Sequence, residues 1–228
     1  MEASEEVTTA IDVDMPNQEV THQVISFDVG LRHFAYCIID ANVATRTRRI
    51  RHLEVIDLGC KKNNPQKVID CVIDVLDDIA YTKLDQNIKT VVLIESQMTA
   101  IMKCVQTVIN AYFKIISKYN GMEATSQYMS AKHKLNLMYR YREYPGLRPL
   151  PAEPAASLPQ QQDATGAKKQ RTKYKKNKLD SVDFAKWLLE HKENDIHMLN
   201  RVMSFKKKDD LTDAYLMAVY HVETSLWQ

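Results

Sequence analysis

The stretch Val24-Ile25-Ser26-Phe27-Asp28-Val29-Gly30-Leu31-Arg32-His33-Phe34-Ala35-Tyr36-Cys37-Ile38-Ile39-Asp40 decides the fold. Two apolar, β-type runs flank a short segment containing Gly30, which predicts a strand, a turn and a second strand. The first run ends on a carboxylate, Asp28. Working outward, Ile50 to Leu58 alternates loosely and predicts a third strand. Val68, Cys71, Val72, Val75, Leu76 and Ile79 recur at helical spacing behind Pro65, giving an amphipathic helix. Thr90 to Ile94 is an unbroken apolar run, the pattern of a strand covered on both faces, and Glu95 closes it. Met98 to Lys118 predicts a long helix with an unusually wide apolar face that includes Ile101, Val105, Ile109, Tyr112 and Ile115. Gly121 breaks that helix, and Met122 to Met129 predicts a fifth strand. Further on, Asp180 or Ser181 caps a helix through about His191. A last helix, Asp209 to about Glu223, buries Leu211, Ala214, Tyr215, Ala218 and Val222. Strands come first and β-α units follow, so the fold class is α/β: a mixed five-stranded sheet with helices on both faces.

The chain has 228 residues, room for one such domain. Residues 1–21 are polar, acidic and aperiodic, which predicts a disordered tail ahead of a domain spanning 22–228. Between Tyr144 and Ala167 lie five of the seven prolines and three consecutive glutamines, the composition of a flexible insertion at about 144–167. No run approaches the roughly 20 apolar residues of a membrane span, and no secretory or mitochondrial leader is visible. Cys37, Cys60, Cys71 and Cys104 form no metal or disulfide framework and read as reduced thiols. The expected location is therefore intracellular, cytoplasmic or nuclear (a viral replication site if the source is viral), with mitochondria less favoured. A net charge of +2 conceals a split: the six acids of residues 1–20 leave 23 against 31 basic residues, a body of +8. That balance suits a polyanion-binding partner.

Carboxylates ending two apolar strands and opening one helix point to a metal cage assembled by folding. Phosphodiester hydrolysis needs an activated water and a stabilised leaving oxygen, and a pair of divalent ions supplies both. Mg²⁺ keeps several of its own waters, so a few rigidly placed carboxylates suffice. Asp28 and Glu95 occupy strand ends, and the absent side chain of Gly30 leaves room for a substrate backbone. Asp210 and Asp213 are three apart on a helix and point to one side. Asp209, four from Asp213, also reaches. Each acid has a bland reading: a turn for Asp28, a strand terminus for Glu95, a favourable dipole partner for Asp209 and Asp210. Their joint occurrence favours a metal-dependent nuclease.

Ile25 through Asp40, then Val92-Leu93-Ile94-Glu95-Ser96-Gln97 before a long helix, then Lys208-Asp209-Asp210-Leu211-Thr212-Asp213-Ala214, together resemble the three motifs of the RuvC-type Holliday junction resolvases. The resemblance is to the branch shared by poxviruses, related large DNA viruses and fungal mitochondria, and covers roughly residues 24–220 outside the Pro-rich insertion. It implies an RNase H-like fold, a homodimer, and nicking of four-way DNA junctions that depends on Mg²⁺ or Mn²⁺, with two ions per site. It further implies Asp28, Glu95, Asp210 and Asp213 as catalytic metal ligands, with no organic cofactor. Arg32-His33 departs from the Lys-Asn frequent in that family.

A DNA surface is expected along Lys168, Lys169, Arg171, Lys173, Lys175, Lys176 and Lys178, an eleven-residue run with seven basic residues and no acids. Placed before a capped helix, it reads as a phosphate-contacting arm that orders on binding; a nuclear localisation signal is the alternative. Lys206, Lys207 and Lys208 adjoin the proposed ligands. Arg32, Gln97 and Lys103 are further candidates, and Lys132 and Lys134 weaker ones. The wide face of the 98–118 helix is the expected dimer surface. Three rivals stay open: another RNase H-like nuclease acting on RNA or flaps, a non-catalytic DNA-binding protein, and a sugar-kinase-like ATPase. The last lacks the Gly-rich phosphate loops it needs.

Overall fold

The computed structural model describes residues 19–61, 63–147 and 164–228, with side chains throughout except at 135 and 164–175. Its elements in chain order are β1 (His22–Asp28), β2 (Phe34–Asn42), β3 (Thr47–Ile56), α1 (Pro65–Asp78), β4 (Lys89–Glu95), α2 (Ala100–Tyr119), β5 (Ala124–Met129), α3 (Lys132–Met138), α4 (Ala164–His191), α5 (Ile196–Ser204) and α6 (Lys208–His221). One π-turn, Ile79–Lys83, continues α1, and another, Val222–Leu226, continues α6.

The sheet runs β3-β2-β1-β4-β5, antiparallel from β1 to β2 to β3 and parallel from β1 to β4 to β5. Mixed pairing follows from the connections: a five-residue link makes the β1–β2 hairpin, whereas helical crossovers place β4 and β5 parallel to β1. The hairpin link requires glycine, because a Cβ on Gly30 would lie 2.6 Å from the His33 carbonyl oxygen. That crowding is a local reason for Gly30, different from the substrate clearance expected of it.

Successive β1 side chains alternate between two cores. Ile25 and Phe27 face α1 and α2, where the Phe27 ring lies 5.5 Å from Phe34 and 6.1 Å from Phe113. Val24 faces the opposite core, built from α4, α5 and α6. Ser26 on the same side is fully buried and donates its hydroxyl to the Ala214 carbonyl of α6 at 2.6 Å. Helix α6 buries Leu216, Met217 and Val219 as well as the residues expected, since β1, β2, α3 and α4 enclose it. Arg48 of β3 ties this layer together, its guanidinium 2.7 Å from Glu193 and 2.6 Å from Glu223.

Three expectations change. Helix α4 starts at Ala164 instead of Asp180 or Ser181, and the Ser181 hydroxyl donates to the Asn177 carbonyl within it. Lys, Arg and Gln are good helix formers, and nothing between Lys168 and Asp183 breaks the helix. The basic run is thus a helix, not a separate arm. The insertion is also narrower than 144–167: Tyr144 is buried, packing 5.0 Å from Phe184 and 5.5 Å from Trp187, and Ala164 onward is helical. Residues 148–163 lie outside the described residues, as do residues 1–18 of the expected tail. Its last residues are tied to the body, with the Glu19 carbonyl accepting from Asn42 and the Thr21 amide donating to Ala41. Among the described residues, no helix is long and apolar enough to cross a membrane.

Candidate active site

Strands β1 and β4 are parallel neighbours in register, with Phe27 opposite Ile94, so their C-terminal carboxylates arrive side by side. Asp28 and Glu95 therefore meet at one sheet edge, the end where α/β proteins place their sites. The Ser26 bond to Ala214 holds α6 against β1, and the first two turns of α6 bring Asp210 and Asp213 to the same edge. All four carboxylates line one cleft of about 490 Å³, together with Gly30 and Lys134. Asp209 does not line it and pairs instead with Lys178, so Asp210 is the partner of Asp213.

Lys134 is the member whose role was not legible. It comes from the short helix α3, is 5% exposed, and sits 2.8 Å from both Glu95 and Asp213. Burial works against its ammonium, but Asp213, Glu95 and Asp28 outweigh burial and raise its pKa. Gln97 donates to the second Glu95 oxygen at 2.7 Å, so both carboxylate oxygens are held, and Gln106 donates to the Glu95 backbone carbonyl at 2.6 Å.

The acids differ in what they want. Asp28 keeps part of its surface open to the cleft, yet its carboxyl is closely surrounded. Burial first, then the hydrogen bond and charge of Glu95, push it well above the usual carboxylate range. Burial pushes Glu95 the same way, but the hydrogen bond with Asp28 and the charge of Lys134 hold it low. The two neighbouring carboxyls are thus pushed in opposite directions. Burial also raises Asp210 and Asp213. One oxygen of Asp210, Oδ2, is buried without a hydrogen-bond partner, and the His33 ring nitrogen Nδ1 lies 3.9 Å from it. Such an orphan oxygen suits a metal ion, as does the all-oxygen donor set. Among the described residues, no three His, Cys, Asp or Glu groups close into a ligand cage. Lys134 separates Glu95 from Asp213 and supplies the neutralising charge between them.

Cations rim the cleft. Arg32, Lys132, Lys178 and Lys207 line it, as does Gln97, and His33, Asn177 and Ser181 join them unanticipated. Lys206 lines an adjoining hollow with Arg32 and Phe205. Lys208 points elsewhere, donating to the Phe205 carbonyl at 3.1 Å. Lys103 is exposed on the first turn of α2 and is not among the lining residues. Lys176 is exposed on α4, while the side chains of Lys168, Lys169, Arg171, Lys173 and Lys175 lie outside the described residues.

No protein-family model matches the sequence, and no curated protein matches it. Solved structures do match the fold. The yeast mitochondrial Holliday junction resolvase Ydc2 superposes with a TM-score of 0.58 at 15% identity, covering 91% of this chain and 79% of that one. The fowlpox virus Holliday junction resolvase superposes with a TM-score of 0.51 at 18% identity, covering 89% of this chain and 99% of that one. The chain shares its fold with these two proteins. Within this fold, the cleft described above gathers acidic and basic groups at the carboxyl ends of β1 and β4.

Proposed function

We propose that this chain is a structure-selective DNA endonuclease that resolves four-way junctions by metal-dependent phosphodiester hydrolysis. The observation that carries the reading is the convergence of Asp28, Glu95, Asp210 and Asp213 on one cation-rimmed cleft, within a fold shared with two Holliday junction resolvases. Those four residues would hold the divalent ions, Mg²⁺ or Mn²⁺, as hard oxygen ligands. When bound, the ions supply an activated water and neutralise charge at the scissile phosphate. The chain's own groups do the rest. Lys134 spaces Glu95 from Asp213 and supplies positive charge between them. Gln97 fixes the Glu95 oxygen that Lys134 leaves free. Arg32, Lys132 and Lys207 draw phosphates to the rim, and Lys176 with the basic half of α4 extends that field along the strand. Two-fold pairing of the chain would match the symmetry of its substrate. Reduced thiols fit an intracellular setting.

The test is cleavage of a synthetic four-way junction against linear duplex, hairpin and RNA hybrid, with Mg²⁺ and with chelator. Wild-type protein nicks the junction alone and only with the ion. Asp28→Asn binds the junction within a few-fold of wild type while cleavage falls by about 1,000-fold or more. Equal rates on every substrate would remove junction selectivity, and preference for the RNA hybrid would make this a different RNase H-like nuclease.

A further inference from the structure

We propose that Cys60 and Cys71 form a peroxide-oxidisable dithiol, closing an intramolecular disulfide that fastens the β3–α1 loop to α1. Their sulfurs lie 2.8 Å apart, with Cys60 donating to Cys71. An S–S bond is about 2.05 Å, so closing it moves the pair by less than about 1 Å. The two thiols differ in access: Cys60 is 8% exposed, whereas Cys71 is half-buried on the first turns of α1. The carbonyls of Leu58 at 3.0 Å and Lys67 at 3.5 Å are alternative acceptors for the single Cys60 S–H, so its sulfur sits beside three acceptors, Cys71 among them. Of the other cysteines, Cys37 is fully buried, and burial pushes its thiol far up. Cys104 belongs to α2.

The reaction balances with hydrogen peroxide as oxidant. The Cys71 thiolate attacks one peroxide oxygen, the O–O bond breaks, and the departing hydroxide takes up a proton as water. The Cys60 sulfur, giving up its proton, then attacks the resulting sulfenic acid. The S–S bond forms, the S–O bond breaks, and a second water leaves. Sulfur is oxidised and peroxide reduced.

The bond would reach the cleft through one contact. Leu58, two residues before Cys60, donates its amide to the Leu31 carbonyl at 3.1 Å, and Leu31 lies between Gly30 and Arg32 in the cleft wall. Oxidation therefore rigidifies that wall. The linkage needs no nuclease activity for its detection.

The experiment treats reduced full-length protein with hydrogen peroxide, alkylates the remaining thiols, and maps the peptides by mass spectrometry. The expected product is a Cys60–Cys71 linked peptide within one chain, with Cys37 and Cys104 still alkylated. Oxidised protein also gains about 5 °C in Tm, and the Leu58 amide exchanges about tenfold more slowly. Cys71→Ser loses the linkage and both shifts, while Cys104→Ser keeps them. Overturning results are Cys60 and Cys71 both still alkylatable after peroxide, a linkage between chains, or one that includes Cys104.

Discussion

An ammonium group held 2.8 Å from two carboxylates and nearly out of water controls what a substitution at this cleft does. Removing one partner of a buried ion pair leaves the others uncompensated, at a cost of roughly 3–5 kcal/mol. Lys134→Met is therefore expected to lower the unfolding free energy by about 3 kcal/mol in chelator, read by urea denaturation, and to cut junction cleavage about 100-fold. A surface lysine would leave the unfolding free energy unchanged. His221 makes the second residue-scale prediction. Burial, then the charge of nearby His22, lowers its pKa to about 4, and it pairs neutral with Gln127 at 2.8 Å. In the unfolded chain it takes up a proton near pH 6.5, so its contribution is present above that pH and is lost as pH falls towards 4. The unfolding free energy of His221→Gln relative to wild type should improve by up to about 3 kcal/mol across that window, since Gln removes this proton linkage. An unchanged difference from pH 7 to pH 4 would mean that His221 titrates alike in both states. Asp28 and Glu95 stand out in the sequence because each ends an apolar strand, and Asp210 and Asp213 because a spacing of three puts them on one side of a helix. Lys134 does not, because a lysine in a polar stretch looks solvent-exposed until β4 and α6 close over it.

Helix α4 shows the same limit at the level of elements. The strands, α1, α2 and α6 carry apolar periodicity and could be read directly, but the first half of α4 carries none. Its residues are helical through propensity and continuity with the packed second half, around Phe184 and Leu188. Pattern reading therefore placed the start at the nearest capping residue. The two boundaries predict different outcomes for Lys176→Pro. In a helix running from Ala164, the ring removes a backbone bond and clashes with the preceding turn, costing about 3 kcal/mol. Before a helix starting at Ser181 it would cost almost nothing. Circular dichroism should show lost helix in the variant, and junction affinity should become less steep in salt as the basic residues leave their common axis. Ellipticity matching wild type would restore the shorter helix.

At the scale of the whole molecule, the proposed function asks for two opposed incisions at a four-way junction, where one cleft would cut one strand. On that proposal the cleft would be presented twice, and the simplest arrangement is a two-fold dimer. Part of the wide face of α2 is accounted for by the sheet and α1, since Val105, Ile109, Phe113 and Ile116 are buried there. What is left over is Ile115 at 57% exposed and Tyr119 at 71%, beside Tyr81 at 58%, whose hydroxyl accepts from Asn120. Apolar area of this kind, on a body otherwise rich in charge, is where self-association is expected. Wild-type protein should then scatter light at twice its 26.3 kDa chain mass at micromolar concentration. Ile115→Lys should shift it towards the single-chain mass, leaving the cleft on the far edge of the sheet intact. On a supercoiled plasmid bearing a cruciform, paired incisions by wild type yield linear DNA, whereas the monomeric variant yields nicked circles. The ratio of linear to nicked product thus separates pairing from chemistry: Ile115→Lys lowers the ratio with nicking retained, while Asp28→Asn abolishes both. A wild-type chain that scatters as a monomer yet makes linear product would place the second incision outside this symmetry.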